Sequence, residues 1–434
     1  MIRSITPKYA TEAANTTIDL GSAAVELRVA SKIVFGSGRA RLEMTDKERV
    51  VVEVETSVEG LIMSNNPKLQ LKFGLHGQFI PVICFETKIN NNGVSLRVMA
   101  KGTTFTLGRD GRKRLTSATL HVLNFPEFFC VGETSSDLRH QGRRLGRVFL
   151  KSLQWVVELQ ALPSTNTVIK ELKESGGNAI THIASVTRAD NSTFSCKELD
   201  TIVHDLYRFL SFARGAWTPV FGVIGYDRNG TETYLDWSQR ISSPWTSCQS
   251  WFDVHHGETL AVAFPGFVRL MRHPKLSNAC HAALYWYLRS NRAGDGVGVD
   301  GGLILSQAAL EGLSASVLSN AGIILPKKSK AAGKIRAACN NLKIKTAIPS
   351  SSKRLGKWQR QGAFSDGPEA VTKLRNELVH PERRLAGKLP SAFPEAWQLA
   401  QWYIEVILLR LCEYKGSYSH RLRAKWVGEV QRFP

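Results

Sequence analysis

The sequence predicts a multidomain α+β protein: a β-rich N-terminal region, an α+β middle segment and an all-α C-terminal helical bundle. Three observations carry this expectation. The chain has 434 residues, too many for one ordinary core. Apolar and polar residues alternate through the first third, with the period of half-buried strands. Beyond about residue 250 the apolar spacing turns helical. The expected divisions are residues 1–162, 163–249 and 250–434.

In the first region Ala24-Val25-Glu26-Leu27-Arg28-Val29, Val50-Val51-Val52-Glu53-Val54-Glu55, Leu69-Gln70-Leu71-Lys72-Phe73 and Val94-Ser95-Leu96-Arg97-Val98 read as strands. Turn signals such as Asn91-Asn92-Gly93 and Gly108-Arg109-Asp110-Gly111 separate them. Many short strands with polar turns suggest a sandwich or a twisted antiparallel sheet. In the middle segment 179–186 reads as a strand, and a helix opens at Ser195 or Lys197 and runs through Phe212. Residues 220–226 and 231–235 pair as a hairpin around Asp227-Arg228-Asn229-Gly230.

In the C-terminal region helices fall near 276–290, 303–319, 330–342, 368–379 and 394–414. The last carries Pro394 in its first turn and Gly416 just past its end. Its apolar residues cover more than one stripe, so it is either central to a bundle or shared with a partner chain.

No stretch reads as a membrane span. The nearest, 397–412, is broken by Gln398, Gln401, Glu405 and Arg410, where spanning needs about 20 mostly apolar residues. The N-terminus lacks the apolar block of a signal peptide, and a cytoplasmic location is expected. Seven cysteines lie far apart with no C-x-x-C pair, which argues against a zinc site and a disulfide framework. His255 and His256 beside Asp253 point in different directions and make a poor ligand set. No metal and no other cofactor is expected, and the Gly-rich run at 294–298 lacks the phosphate-loop pattern.

Charge is more informative. Lys plus Arg number 57 against 37 Asp plus Glu, a formal net charge of +20. Residues 321–434 alone hold 22 basic and 8 acidic side chains. Such polarisation attracts a polyanion, most commonly nucleic acid. Lys327, Lys328 and Lys330 form one cluster, and Leu138-Arg139-His140-Gln141-Gly142-Arg143-Arg144 forms another. Lys353, Arg354, Lys357 and Arg360 surround Trp358, a mixture suited to RNA backbone contact plus base stacking. A solvated loop fits the same residues.

The most specific stretch is Lys373-Leu374-Arg375-Asn376-Glu377-Leu378-Val379-His380-Pro381. Asp366 or Ser365 can cap a helix with Pro368 and Glu369 in its first turn. Val371, Leu374 and Leu378 then face inward. On a continuous helix Arg375 and His380 would diverge by roughly 140°, at about 100° per residue. Pro381 disfavours the α conformation at His380, which puts the histidine at or just past the helix end, where it can turn back toward Arg375.

This stretch resembles the R-x4-6-H signature of the HEPN superfamily, in the form R-N-x-x-x-H, with the likeness extending over about 276–414. More loosely, the layout is similar to ApeA-type bacterial anti-phage proteins, a mixed N-terminal region before a C-terminal HEPN domain. The resemblance implies a HEPN-like helical bundle that forms a homodimer through the C-terminal helical domain. Its catalytic residues would be Arg375, Asn376 and His380. The implied activity is a metal-independent endoribonuclease of anti-phage defence or a toxin. Its substrate would be tRNA or another cellular RNA, and the N-terminal region would sense a phage-derived trigger or regulate the enzyme.

The residue types suit that chemistry: His380 as acid or base, Arg375 as a charged fork for phosphate oxygens, and Asn376 to orient the histidine or hold a phosphate oxygen. Two other readings stay open. One is a non-catalytic nucleic-acid-binding or assembly protein with a degenerate HEPN fold. The other is a ligand-binding regulatory protein using the aromatic segment 209–245.

Overall fold

Alternation with period two rolls the first hundred residues into a closed six-stranded barrel, in place of a sandwich. Its strands are β1 (Thr17–Val29), β2 (Lys32–Glu43), β3 (Arg49–Thr56), β4 (Gln70–Phe73), β5 (Ile80–Asn90) and β6 (Gly93–Ala100), in the order β1-β2-β3-β6-β5-β4. Val25, Leu27, Leu42, Val52, Val54, Leu71 and Leu96 fill the interior. Their alternate neighbours pair on the outside: Lys72 with Glu26 at 2.5 Å, Arg41 with Glu53 at 3.0 Å and Arg97 with Glu86 at 2.9 Å. The computed structural model describes residues 4–45, 48–57, 68–74, 77–90, 93–102, 104–107, 114–130, 139–140, 143–144, 146–292, 297–326, 328–380, 390–423 and 426–434. Lys327, the turn at 108–111, and Leu138, Gln141 and Gly142 of the basic patch lie outside the described residues.

A second, seven-stranded antiparallel sheet follows. It uses β7 (Thr106–Leu107), β8 (Ser117–Leu123), β11 (Arg147–Ser152), β12 (Trp155–Ala161), β13 (Ile180–Arg188), β14 (Val220–Tyr226) and β15 (Glu232–Asp236), in the order β11-β12-β13-β8-β14-β15-β7. The short β9 (Arg139–His140) and β10 (Arg143–Arg144) pair with each other. The division expected at residue 162 runs through this sheet, because β13 pairs with both β12 and β8. Helix α1 (Thr165–Ser175) buries Val168 and Leu172 against Ala179. Helix α2 (Cys196–Arg214) opens with a reciprocal cap: Ser195 N and Oγ donate to Glu198 Oε2 at 2.8 Å, and Glu198 N returns a bond to Ser195 Oγ.

Barrel and sheet share one apolar core. Trp237 sits within it, edge-on to Phe73 and Phe105, and its Nε1 donates to Tyr9 Oη at 3.1 Å. Two histidines are buried in the sheet. His121 Nε2 accepts from Tyr9 N at 3.1 Å, so Nδ1 carries the proton and donates to Gly222 O. His182 stacks on Phe128 with ring centroids 5.5 Å apart. Burial lowers their pKa values to about 4 and about 3.

The chain divides into two compact units, Met1–Arg208 with Thr218–Ser247, and Phe209–Trp217 with Cys248–Pro434. The second is helical: α3 (Glu258–Met271), α4 (Ser277–Ser290), α5 (Gly298–Asn320), α6 (Ala331–Asn341), α7 (Lys353–Arg360), α8 (Gly367–Val379) and α9 (Phe393–Leu411), closed by the strand pair β16 (Ser417–Tyr418) and β17 (Gln431–Arg432). Helix α5 packs against α4, α6, α8 and α9. Among the described residues α5 alone is long and apolar enough to cross a membrane, and more than half of that stretch is buried within the protein. Helix α9, broad in its apolar surface, meets α3, α4, α5, α7 and α8 and is buried almost continuously from Ala396 to Leu409. Its excess apolar face is therefore taken up inside its own bundle.

Polar groups in this bundle are tightly used. Glu405 and Arg421 are both fully buried, with Arg421 Nη2 2.6 Å from Glu405 Oε1. Tyr287 Oη donates to the same carboxylate at 2.7 Å. Arg421 also donates to Gln398 Oε1, Asn291 Oδ1 and Gln249 O. A turn further up α9, Gln401 Nε2 donates to the hydroxyls of Ser306 and Ser290.

These buried groups set two expectations. Unfolding exposes His121 and His182, whose ordinary pKa is 6.5, so the unfolded state takes up protons as pH falls below that value and stability drops toward pH 4. Glu48 opposes this, because burial pushes its carboxyl up to about 7 and the folded state is the one that binds its proton. The net is a loss on the order of 1.4 kcal/mol per pH unit below about 6. Glu48→Gln is expected to steepen it, measured by denaturant unfolding at stepped pH; a flat profile in both proteins would refute the assignment. Separately, Arg421→Met leaves Glu405 buried and unpaired and is expected to cost about 3–5 kcal/mol. A cost under about 1 kcal/mol in the same measurement would mean that the pair does not order the bundle.

Candidate functional site

Helix α8 carries the R-N-x-x-x-H residues, and its start is fixed by several interactions. Asp366 Oδ1 accepts from Glu369 N at 3.0 Å as the N-cap, and Pro368 occupies the first turn. The same carboxylate receives a fork from Arg336 of α6 at 2.5 and 3.0 Å. Glu369, bridged by Lys373 at 2.8 Å and by the Ser365 hydroxyl and amide, is held at about 2. Gly367 N donates to Thr346 O at 2.8 Å, and a Cβ at Gly367 would stand 2.2 Å from the Tyr403 hydroxyl of α9. Only glycine lets α8 approach α9 this closely.

The far end of α8 holds the motif. Val371 and Leu374 are buried, while Arg375, Asn376 and His380 are half-buried. Arg375 Nη1 donates to Asn376 Oδ1 at 3.2 Å, and Arg375 Nε is buried with no hydrogen-bond partner among the described residues. His380 is the C-cap residue, with φ −124° and ψ 82°, and its N–H donates to Asn376 O at 2.9 Å. The backbone thus leaves the helix at His380, the residue that precedes Pro381. Chemically this end offers a guanidinium with a spare donor, an amide and an imidazole within six residues.

The second predicted group forms α7. Lys353, Arg354, Lys357 and Arg360 are exposed, Trp358 is half-buried, and Leu355 anchors the helix. Lys353, Lys357 and Arg360 fall within about 60° of one another at about 100° per residue, and so share one face. Among the described residues none of the four cations is ion-paired. Glu395 of α9 caps this helix, accepting from Arg354 N at 3.1 Å and Leu355 N at 2.9 Å. The turn from α7 leads directly to the start of α8, where Gln359 Nε2 donates to Ser365 O at 2.7 Å. Arg375 and His380 lie about 12 and 20 Å along the axis from Gly367, at 1.5 Å per residue. The two predicted groups therefore flank opposite ends of α8.

His255 and His256 hold separate partners: His255 Nδ1 lies 3.1 Å from Asp253, while His256 bonds Gly428 O at 2.9 Å and Glu258 at 3.3 Å. No group of three or more metal-ligating side chains occurs among the described residues. Five of the seven cysteines are buried, and no disulfide joins any two of them.

The sequence reading missed a cleft of about 810 Å³ between the loop 343–351, the end of α9 and the C-terminal segment. Lys343, Lys345, Arg410, Arg423 and Arg432 line it, and Glu429 is the one acidic side chain among its lining residues. These cations come from four separate stretches of chain, so no local cluster announced them. None of the motif residues lines this cleft.

The chain is similar to known proteins as follows. Residues 110–248 match a family model described as the YopA central domain, and residues 273–431 match one described as the YopA C-terminal domain. A Bacillus subtilis (strain 168) protein, named as an SPbeta prophage-derived uncharacterized protein YopA, is 28% identical over 398 residues, which is 85% of this chain and 88% of the relative. No solved structure matches.

The start of α8 yields a direct test of how the motif is held. Asp366→Ala removes both the N-cap and the Arg336 clamp, and is expected to cost about 1–2 kcal/mol in denaturant unfolding. An unchanged unfolding midpoint would show that α8 is positioned by its apolar packing alone.

Proposed function

We propose that this chain is a metal-independent endoribonuclease of the HEPN type, cytoplasmic, acting in anti-phage defence or as a toxin. The observation that carries the reading is the end of α8, where Arg375 and Asn376 are hydrogen-bonded and His380 steps out of the helix beside them. Support comes also from its setting in a mainly helical unit and from the strongly basic balance of the C-terminal residues. The B. subtilis relative is named as prophage-derived, a setting in which a nuclease that arrests infected cells has a place.

In the proposed reaction a base takes the proton of the ribose 2′-hydroxyl and the 2′-oxygen attacks phosphorus. The bond to the 5′-oxygen breaks, and an acid returns a proton to that leaving oxygen. The products are a 2′,3′-cyclic phosphate and a 5′-hydroxyl. His380 supplies the acid–base group. Arg375, whose Nε has no other partner, meets the charge that builds on the non-bridging oxygens. Asn376 orients the guanidinium through its Oδ1. The motif supplies one histidine per chain, and two proton transfers are more readily served by a homodimer with both motifs in one cleft. Because α9 is buried within its own bundle, such a dimer must use another surface, and the motif end of α8 is the one the chemistry requires.

A second reading has an observation behind it: the basic cleft lies apart from the motif, as in a protein that binds nucleic acid without cutting it. The two separate cleanly in one experiment. His380→Ala and Arg375→Ala are each expected to lower RNA cleavage by about a hundredfold or more while leaving the fold intact. Cleavage by the unaltered chain is expected to persist in EDTA and to leave cyclic phosphate ends. A magnesium requirement, or full activity in both variants, overturns the mechanism. No cleavage by any form favours the binding protein.

A further inference from the structure

We infer that the cleft between the loop 343–351 and the C-terminal segment is a binding site for a single RNA strand. The choice of RNA rests on the proposed function; the choice of a single-stranded polyanion rests on the cleft itself. Among the described residues Lys343, Lys345, Arg410, Arg423 and Arg432 are not ion-paired, so five cations face one space without compensation. Glu429, the only acidic side chain of the lining, is occupied in accepting from Trp426 N at 2.9 Å. Uncompensated like charges raise the energy of the empty protein, and a line of phosphates relieves that repulsion while releasing condensed counterions.

The arrangement fits a strand better than a compact phosphate ligand. Lys343, Lys345, Arg423 and Arg432 are exposed along the rim, and Arg410 lies deeper, its guanidinium over the Phe433 ring at 5.2 Å and its Nε buried without a partner. Ser350 and Ser351 complete the wall and lead in sequence into α7, which carries the exposed Lys353, Lys357 and Arg360. A cage for one phosphate would close around it; this is a track. Ring surfaces accompany it: His420 and Trp402, both in the lining, stack with centroids 5.2 Å apart. A half-enclosed space of about 810 Å³ takes a few nucleotides of one strand and excludes a duplex.

The test measures binding alone, with the full chain carrying His380→Ala so that the probe stays intact whether or not the protein is a nuclease. Fluorescence anisotropy with a short labelled single-stranded RNA is followed across a salt series. Arg423→Glu with Arg432→Glu, both at the surface, is expected to weaken binding about tenfold or more and to flatten the salt dependence by roughly 0.7 for each phosphate no longer neutralised. Arg410→Ala is expected to weaken it as well, with the melting temperature as the check on folding. Unchanged affinity and slope in the surface double variant overturns the site. Equal competition by duplex RNA overturns the single-strand assignment, and binding of nucleoside triphosphate or pyrophosphate without RNA overturns it in favour of a small phosphorylated ligand. A failure of cleavage in the unaltered chain leaves every one of these outcomes readable.

Discussion

The helical unit depends on one buried ion pair, Glu405 with Arg421. Both side chains are fully removed from water, a placement that costs several kcal/mol per ion before any attraction is counted. Good geometry must offset that cost, and here it does: the carboxylate takes the guanidinium and the Tyr287 hydroxyl, and the guanidinium also reaches Gln398, Asn291 and the Gln249 carbonyl. Such a network is satisfied in one arrangement of α9, α4, the segment entering α3 and the C-terminal strand pair. Sliding any one of them strands a charge in the core. The pair therefore works as a registry device more than as a source of net stability. By fixing Arg421 it also fixes the neighbouring His420 and Arg423, which form one wall of the basic cleft.

A similar economy governs α8. Asp366 spends one carboxylate on two tasks, capping α8 and gripping Arg336 of α6. Gly367 permits the close crossing with Tyr403. With its start held and its apolar side packed, the helix projects Arg375 and His380 at a set distance from α7 and the cleft. Position along a rigid helix is a stronger constraint than position on a loop, which is what a site acting on a defined bond needs.

Much of this was legible in the sequence, and the exceptions have physical causes. Barrel strands β1, β3, β4 and β6, the hairpin of β14 and β15, and helices α2, α4, α5, α6, α8 and α9 follow from periodicity and punctuation, while β2 and β5 were not read from the sequence. Asp366, Pro368 and Pro381 bracket α8 because capping and proline chemistry are local. Barrel closure was not legible, since it depends on which distant strands pair, and period two reads the same in a sandwich. The short α7 was read as a charged cluster, because its N-terminus is capped by Glu395 from another helix and by no residue of its own. Helix α3 was missed, with Pro265 inside it arguing against a helix from sequence alone. In the sequence alone, the four polar residues that interrupt α9 count only against a membrane span. In the fold Gln398 and Glu405 hold Arg421, Gln401 joins two serines, and Arg410 lines the cleft. Their meaning lay in partners far away in sequence.

The separation of motif from cleft bears on what a nuclease of this design could select. Contacts between cations and phosphates add affinity but carry no base information. The cations of the cleft and of α7 would therefore hold any single strand, with a strength set by salt more than by sequence. Selectivity must then come from geometry: a strand anchored at the start of α8 reaches His380 only if it can cross the length of that helix, about 20 Å at 1.5 Å per residue. A flexible loop or an unpaired end can enter the half-enclosed cleft and make that crossing, whereas a duplex is too wide to be anchored there. Under the proposed function, the spacing between anchor and acid–base group acts as a ruler for RNA shape, and the rigidity of α8, secured by Asp366 and Gly367, is what keeps that ruler constant.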